Sequence, residues 1–218
     1  MALTSRPRPA DPSGAAVTSG APLRRILAED LDAVVARDPA VRNRWEAVLH
    51  PALPAVWTHR LAHRLHRRGR RLAARMLMLL VRAFTGTEIH PGAVLGRRVF
   101  IDHGSAVVIG ETAVVGNDVT IYHQVTLGAI GWWRDNARAP GDRRHPVVGD
   151  RVVLGANATV LGPVTIGDDA VVGAQALIID DLPSRARALA PAAVVPVRDD
   201  GRRQAVELLR HTASAGSW

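Results

Sequence analysis

The chain of 218 residues contains no cysteine, which excludes disulfides, cysteine metal sites and a thiol nucleophile. It contains no lysine either, so all 28 of its basic residues are arginine, as the codon usage of a GC-rich genome would produce. Aromatic residues make up only 4% of the chain. That is low for a conventional globular core, and none of them interleaves with the arginine-rich stretch around residues 67–71, where base stacking on a nucleic acid would need them. The net charge of +8 therefore reads as a solvated surface rather than a nucleic-acid footprint. Long hydrophobic runs are missing as well. The strongest, around Met76 to Val81, is far too short to span a bilayer. Residues 1–22 are rich in Ala, Pro and Ser and lack the apolar core of a signal peptide, so they read as a disordered tail. The expectation is a cytoplasmic protein with no nucleic-acid or membrane partner.

What the chain does have is a six-residue beat. Hexads open at Ile89, Leu95 and Ile101, slip by two residues, and resume at Ile109, Val115, Ile121 and Leu127. After an interruption they run again from Val148 through Leu154, Val160, Ile166 and Val172. Each opens with Ile, Leu or Val, and Gly often follows. A repeat this short fits one flat face of a parallel β-helix, three faces to the coil, with the first residue of each hexad stacked inward. Small residues at the second position are expected to let the chain turn the corner.

Residues 23–86 carry helical periodicity. One helix ends before Asp38-Pro39, a second is expected over Ala40–Leu49, a third over Pro54–Arg68 and a fourth over Arg71–Phe84. The β-helix is expected over 87–183, with an extended wrap and tail over 184–218 that holds a weak helix near Gln204–Arg210. His59, His63 and His66 share a helical face, but the arginines between them point to a solvated basic surface rather than a metal site.

Chemistry is expected where the beat is disturbed. His103 sits in Ile101-Asp102-His103-Gly104, directly before the two-residue slip. Such irregularities must be supported by the surrounding fold and cluster at functional positions. Glu88 lies 15 residues upstream, nearly one coil away, where a carboxylate could hold one imidazole nitrogen and leave the other as a base. The second fault spans the 21 residues from Leu127 to Val148, three more than a full coil, and must project as a loop. Trp132 and Trp133 give it apolar area, and Arg144 with His145 suits a substrate carboxylate. A plain surface loop is the competing reading.

The run from Glu88 to Gly128, the loop ending GDRRHP, and VVLGANATVLGPVTIGDDAVVGA together resemble the serine O-acetyltransferases, over residues 87–180 and more weakly at RDPA, 37–40. IHP, IDHG, VIGETA, VTLG and RHP carry the resemblance, in order and at family-like spacing. It implies a left-handed parallel β-helix preceded by a small α-helical domain. It also implies transfer of acetyl from acetyl-CoA to the hydroxyl of L-serine, giving O-acetylserine for cysteine synthesis, with no metal and no acyl-enzyme. His103 would be the general base and Glu88 its orienting carboxylate. Asp38 and Asp102 would hold the serine amino group, Arg144 and His145 its carboxylate, and Glu111 would support the site from behind. Gly128, Ala129, Gly131, Gly155, Ala156, Gly173 and Ala174 match the small positions lining the acetyl-CoA groove between subunits of a homotrimer, or of a dimer of trimers.

The chain departs from that pattern in several places. GAIG stands where the family has GGTG, the loop is lengthened by WWRDNARAP, and GAQA replaces GAGS at 173–176. Trp218 ends the chain where members that dock into cysteine synthase end in Ile, which argues against that partner. The altered loop also keeps open a different small hydroxy amino acid as acceptor. A metal-dependent hydratase on the same repeat would need two histidines five residues apart, and the repeat has no such pair. A scaffold with a decayed site is disfavoured by the retained Glu88, Asp102, His103, Arg144 and His145.

Overall fold

The computed structural model describes residues 21–139 and 142–191. Residues 1–20 of the N-terminal tail, the 204–210 helix and Trp218 lie outside them.

Four helices come first: α1 (Leu23–Arg37), α2 (Arg44–Val48), α3 (Leu53–Arg67) and α4 (Arg71–Thr85). Helix α2 is much shorter than the periodicity suggested, because Asn43 starts it. The Asn43 side chain accepts from the backbone N–H groups of Trp45 and Glu46, while Glu46 reaches back to the N–H of Arg42. This reciprocal cap fixes the helix start and leaves 38–43 free to turn. Helix α4 stops where Gly86 takes the left-handed conformation, φ 67°, and donates to the Arg82 carbonyl.

The helices are clamped to the solenoid by buried polar contacts. Arg60 makes a two-pronged pair with Asp30 of α1 and donates to the carbonyls of Leu95 (2.6 Å) and Gly96 (2.7 Å). Burial raises the pKa of Asp30, opposed by the Arg60 guanidinium. His59, expected in solvent, is 1% exposed, with neither ring nitrogen partnered. Burial drives its pKa well below the ordinary imidazole value. The supposed solvated face is the face that packs.

The β-helix follows, built from two- and three-residue strands on three parallel faces. Face A holds β1 (Glu88–Ile89), β4 (Val108–Ile109), β7 (Thr126–Gly128), β10 (Thr159–Leu161) and β13 (Leu177–Ile178). Face B holds β2 (Val94–Leu95), β5 (Val114–Val115), β8 (Val147–Val148) and β11 (Thr165–Ile166). Face C holds β3 (Phe100–Ile101), β6 (Thr120–Ile121), β9 (Val153–Leu154), β12 (Val171–Val172) and β14 (Arg187–Ala188). The coil is left-handed. Inward residues stack in register: Ile89, Ile109, Leu127, Val160 and Ile178 on face A, with equivalent columns on B and C. These are the residues that open the hexads, and nearly all are fully buried. Apolar burial of this kind, at roughly 25 cal/mol per Å², holds the solenoid together.

Three expectations need correcting. The corner strain is carried by the fourth hexad residue, not the second: Asp118, Gln124, Arg151, Asn157, Asp169 and Gln175 all have φ near 60°. The second-position glycines answer to crowding between coils, since a Cβ on Gly96 would lie 2.4 Å from the Gly116 carbonyl oxygen. The loop after Leu127 leads from face A to the next face, B, so it carries fifteen residues beyond a single step rather than three beyond a coil. The solenoid also continues past 183: Leu182 bridges to Ile166, and β14 pairs with β12 through Val172 and Ala188. A two-residue deletion at Leu182-Pro183 and a small inward Ala188 hid this last turn. No helix among the described residues is long and apolar enough to cross a membrane.

Candidate active site

The predicted site residues fall into two clusters on two edges of the prism. His103 lies between β3 and β4, on the edge where face C meets face A. The two-residue slip puts His103 (φ 61°) and Gly104 (φ 79°) successively in the left-handed region. Gly104 is held there by its neighbours: a Cβ on it would meet Ala52 and Thr87 Oγ1 at 2.7 Å, and Thr87 donates its hydroxyl to the Gly104 carbonyl. This turn projects the imidazole outward, with its side chain 70% exposed.

Asp102 stands beside it, its Oδ1 3.8 Å from His103 Nε2. Asp38, at the end of α1, faces the same turn. Its Oδ1 accepts from the Ala40 N–H at 2.9 Å, and its Oδ2 lies 3.9 Å from His50 Nε2. Arg37 anchors this segment by donating to the Arg98 carbonyl (2.8 Å) and Asp118 (3.0 Å).

Two further histidines join this cluster, and sequence reasoning passed over both. His123 lies one coil along the same edge with its ring edge-on to His103, centroids 5.7 Å apart. His50 is buried between Asp38 and Asp102. His123 was legible as the third residue of a hexad on the same edge. His50 lies outside the repeat and gave no periodic signal.

The second cluster occupies the edge where faces A and B meet. Thr112 organises it. Its Oγ1 accepts from the backbone N–H groups of Arg144 (3.0 Å) and His145 (3.1 Å), and lies 2.9 Å from His145 Nδ1. The Thr112 N–H also donates to Nδ1 at 3.2 Å. An atom that accepts an N–H is unprotonated, so the proton of the neutral ring sits on Nε2. Burial, and after it the Arg144 charge, pushes the His145 pKa down to about 4, which keeps the ring neutral near pH 7. The ring packs against Gly110, where an added Cβ would fall 2.0 Å from Cδ2. Arg144 pairs with Glu111 at 2.5 Å.

Other expected contacts are absent. Glu88 makes no hydrogen bond or ion pair with His103 among the described residues; it pairs with Arg82 at 3.0 Å. The small positions also divide. Gly155, Ala156, Gly173 and Ala174 line the C–A edge with His103, whereas Ala129 and Gly131, and Gly128 at the end of β7, lie on the A–B side with Arg144. Gly131 is covered by the Trp133 indole, whose ring atoms would lie 2.5 to 2.8 Å from a Cβ placed there. Ile130, at the Thr position of the family motif, packs over Gly162.

The bacterial transferase hexapeptide model (six repeats) matches residues 145–180. The chain is 48% identical over 174 residues to a serine acetyltransferase of Helicobacter pylori, covering 79% of this chain and 98% of that one. It is 52% identical over 158 residues to the Mycobacterium tuberculosis serine acetyltransferase, covering 72% of this chain but 66% of that longer protein. Among solved structures, serine acetyltransferase isoform 3 of Entamoeba histolytica in complex with cysteine superimposes with a TM-score of 0.73 at 34% identity, covering 86% of this chain and 65% of that one. The Neisseria gonorrhoeae enzyme in complex with serine gives 0.69 at 36%, covering 81% and 67%. A hexapeptide solenoid with IDHG on one edge and RHP on the next, matched to a relative over almost its whole length, leaves one conclusion: the chain belongs to the serine acetyltransferase family.

Proposed function

We propose that the protein transfers an acetyl group from acetyl-CoA to the hydroxyl of L-serine, giving O-acetylserine for cysteine biosynthesis in the cytoplasm. The observation that carries this reading is the complementarity of the two edge clusters. One offers carboxylates and a base, and the other offers cationic and neutral N–H donors. A zwitterionic amino acid with a hydroxyl matches that pair. Asp38 and Asp102 accept from its ammonium, Arg144 supplies charge to its carboxylate, and neutral His145 donates through Nε2–H.

His103 takes the hydroxyl proton as the serine oxygen attacks the thioester carbon. The tetrahedral adduct collapses with cleavage of the C–S bond, and the imidazolium returns its proton to the departing thiolate. Holding both ends of serine supplies the orientation that direct transfer requires. Glu88 is the carboxylate proposed to orient His103, a role in which it exchanges Arg82 for the imidazole.

Face A separates the two clusters within one chain, so the complete site requires the C–A edge of one copy against the A–B edge of another. A homotrimer, or a dimer of trimers, meets that need, and the same seam joins Gly155, Ala156, Gly173 and Ala174 to Gly128, Ala129 and Gly131 as the acetyl-CoA groove. The outer face of α4 supports assembly, because Leu72, Leu79, Leu80 and Phe84 are all more than half exposed.

The test is thiol release from acetyl-CoA with serine and with a panel of hydroxylated amino acids. Serine-dependent release is expected, and His103→Ala should lower kcat by roughly 10²- to 10⁴-fold. Release that is independent of serine refutes the reading.

A further inference from the structure

His50 has no role in the chemistry above, yet it is a buried titratable group directly beside it. Its side chain is 4% exposed, just beyond the end of α2 and against the Phe100 ring, with centroids 5.4 Å apart. Nε2 lies 3.9 Å from Asp38 Oδ2 and 4.0 Å from Asp102 Oδ1. Those distances are too long for direct hydrogen bonds. They suit a different arrangement. Three acceptors that share one tetrahedral ammonium at about 2.8 Å stand roughly 4 to 4.6 Å from one another. A primary ammonium has three N–H donors, and two carboxylates satisfy only two of them.

We infer that His50 is the third wall of the ammonium pocket: its neutral imidazole accepts the remaining ammonium N–H through Nε2, and its protonated form occupies the pocket as an internal cation that competes with substrate. The inference rests on the proposed serine binding by Asp38 and Asp102.

The groups facing His50 are Asp38 after α1, and Asp102 and His103 on the slip turn. Burial lowers the His50 pKa first, the two aspartates raise it, and His103 lowers it further. The ring is therefore neutral at physiological pH, and in the tautomer with its proton on Nδ1, which is buried without a hydrogen-bond partner among the described residues, Nε2 offers its lone pair to the pocket. As pH falls below the ordinary imidazole value of about 6.5, protons and the ammonium compete for one negatively charged pocket, and each weakens the other by the same factor.

The experiment measures KM for serine, KM for acetyl-CoA and kcat from about pH 8 to pH 5 for the wild type, His50→Phe and His50→Gln. Phe fills the space beside Phe100 without an acceptor, and Gln restores an acceptor that does not titrate. His50→Phe should raise the serine KM roughly tenfold at pH 8, the loss of one hydrogen bond to a charged group. Its acetyl-CoA KM should not change. His50→Gln should recover most of that loss, and in both variants the serine KM should rise less steeply toward acid than in the wild type. Inhibition by 3-hydroxypropionate, which lacks the ammonium, should be the same in all three.

A His50→Phe variant with the wild-type serine KM at every pH overturns the inference. So does a Gln variant no better than Phe, or an equal loss of 3-hydroxypropionate binding. If His50→Phe does not fold, the acid limb of His50→Gln decides alone. A wild type that turns over with no serine dependence overturns the serine reading and this inference together, whereas normal wild-type turnover with unaffected variants overturns only the role of His50.

Discussion

Replacing Gly110 with Ala puts the smallest possible probe under His145. Gly110 is the Gly of VIGETA and sits one residue beyond β4, with its N–H donating to the Leu127 carbonyl. Its φ is not positive, so alanine meets no backbone strain there. By itself the change would stabilise the protein by about 0.4–1 kcal/mol through the unfolded chain. The packing reverses that sign. The added Cβ would stand 2.0 Å from Cδ2 and 2.1 Å from Nε2 of His145, so the ring has to move. Overpacking of this kind costs about 1–3 kcal/mol. Displacing the ring also breaks its bonds with Thr112, worth about 1 kcal/mol more. The expected net loss is about 1–3.5 kcal/mol, read as a lower denaturant midpoint at an unchanged slope. Because the moved atom is the Nε2–H donor, the serine KM should also rise by at least roughly tenfold while the acetyl-CoA KM holds. A Gly110→Ala protein as stable as the wild type, with an unaltered serine KM, would refute the placement of His145.

Two further outcomes follow from buried charge. Arg60→Met leaves the Asp30 carboxylate, 0% exposed, without its partner and uncovers the Leu95 and Gly96 carbonyls, so urea unfolding should show a loss of about 3–5 kcal/mol. A loss below about 1 kcal/mol would mean that the clamp does not hold the helices to the solenoid. Acid sensitivity has a definite sign. His145 titrates near 4 when folded and near 6.5 when unfolded, and burial lowers His50, His59, His63 and His90 as well. The unfolded chain therefore binds more protons than the folded one between about pH 6.5 and 4, and stability should fall as pH is lowered through that window. Thermal melts from pH 8 to pH 4 should show a flat upper limb and a falling lower one. Stability that rises as pH is lowered would contradict the burial of these rings.

The solenoid was legible because its stabilising contacts repeat. Each inward Ile, Leu or Val stacks on the residue one coil away, so the period in the sequence and the column in the core are the same fact seen twice. Both faults in the beat proved to be sites of built structure, the strained turn at His103 and the Thr112-centred cluster around His145. The loop length was misjudged because counting residues does not reveal which face the chain rejoins. The burial of His59 was missed because the following Arg60, Arg64, Arg67 and Arg68 masked a face whose one inward arginine, Arg60, is neutralised by Asp30.

The sequence alone therefore determined the coil, its inward columns and the places where they break, since these follow from local spacing and volume. Only the tertiary structure decided which edge each fault occupies, that Glu88 pairs with Arg82, which nitrogen of His145 carries the proton, and that His50 stands between two aspartates. Those outcomes depend on contacts between segments far apart in the chain. A helix end and a solenoid corner meet only after both have folded, and no periodicity records where they touch.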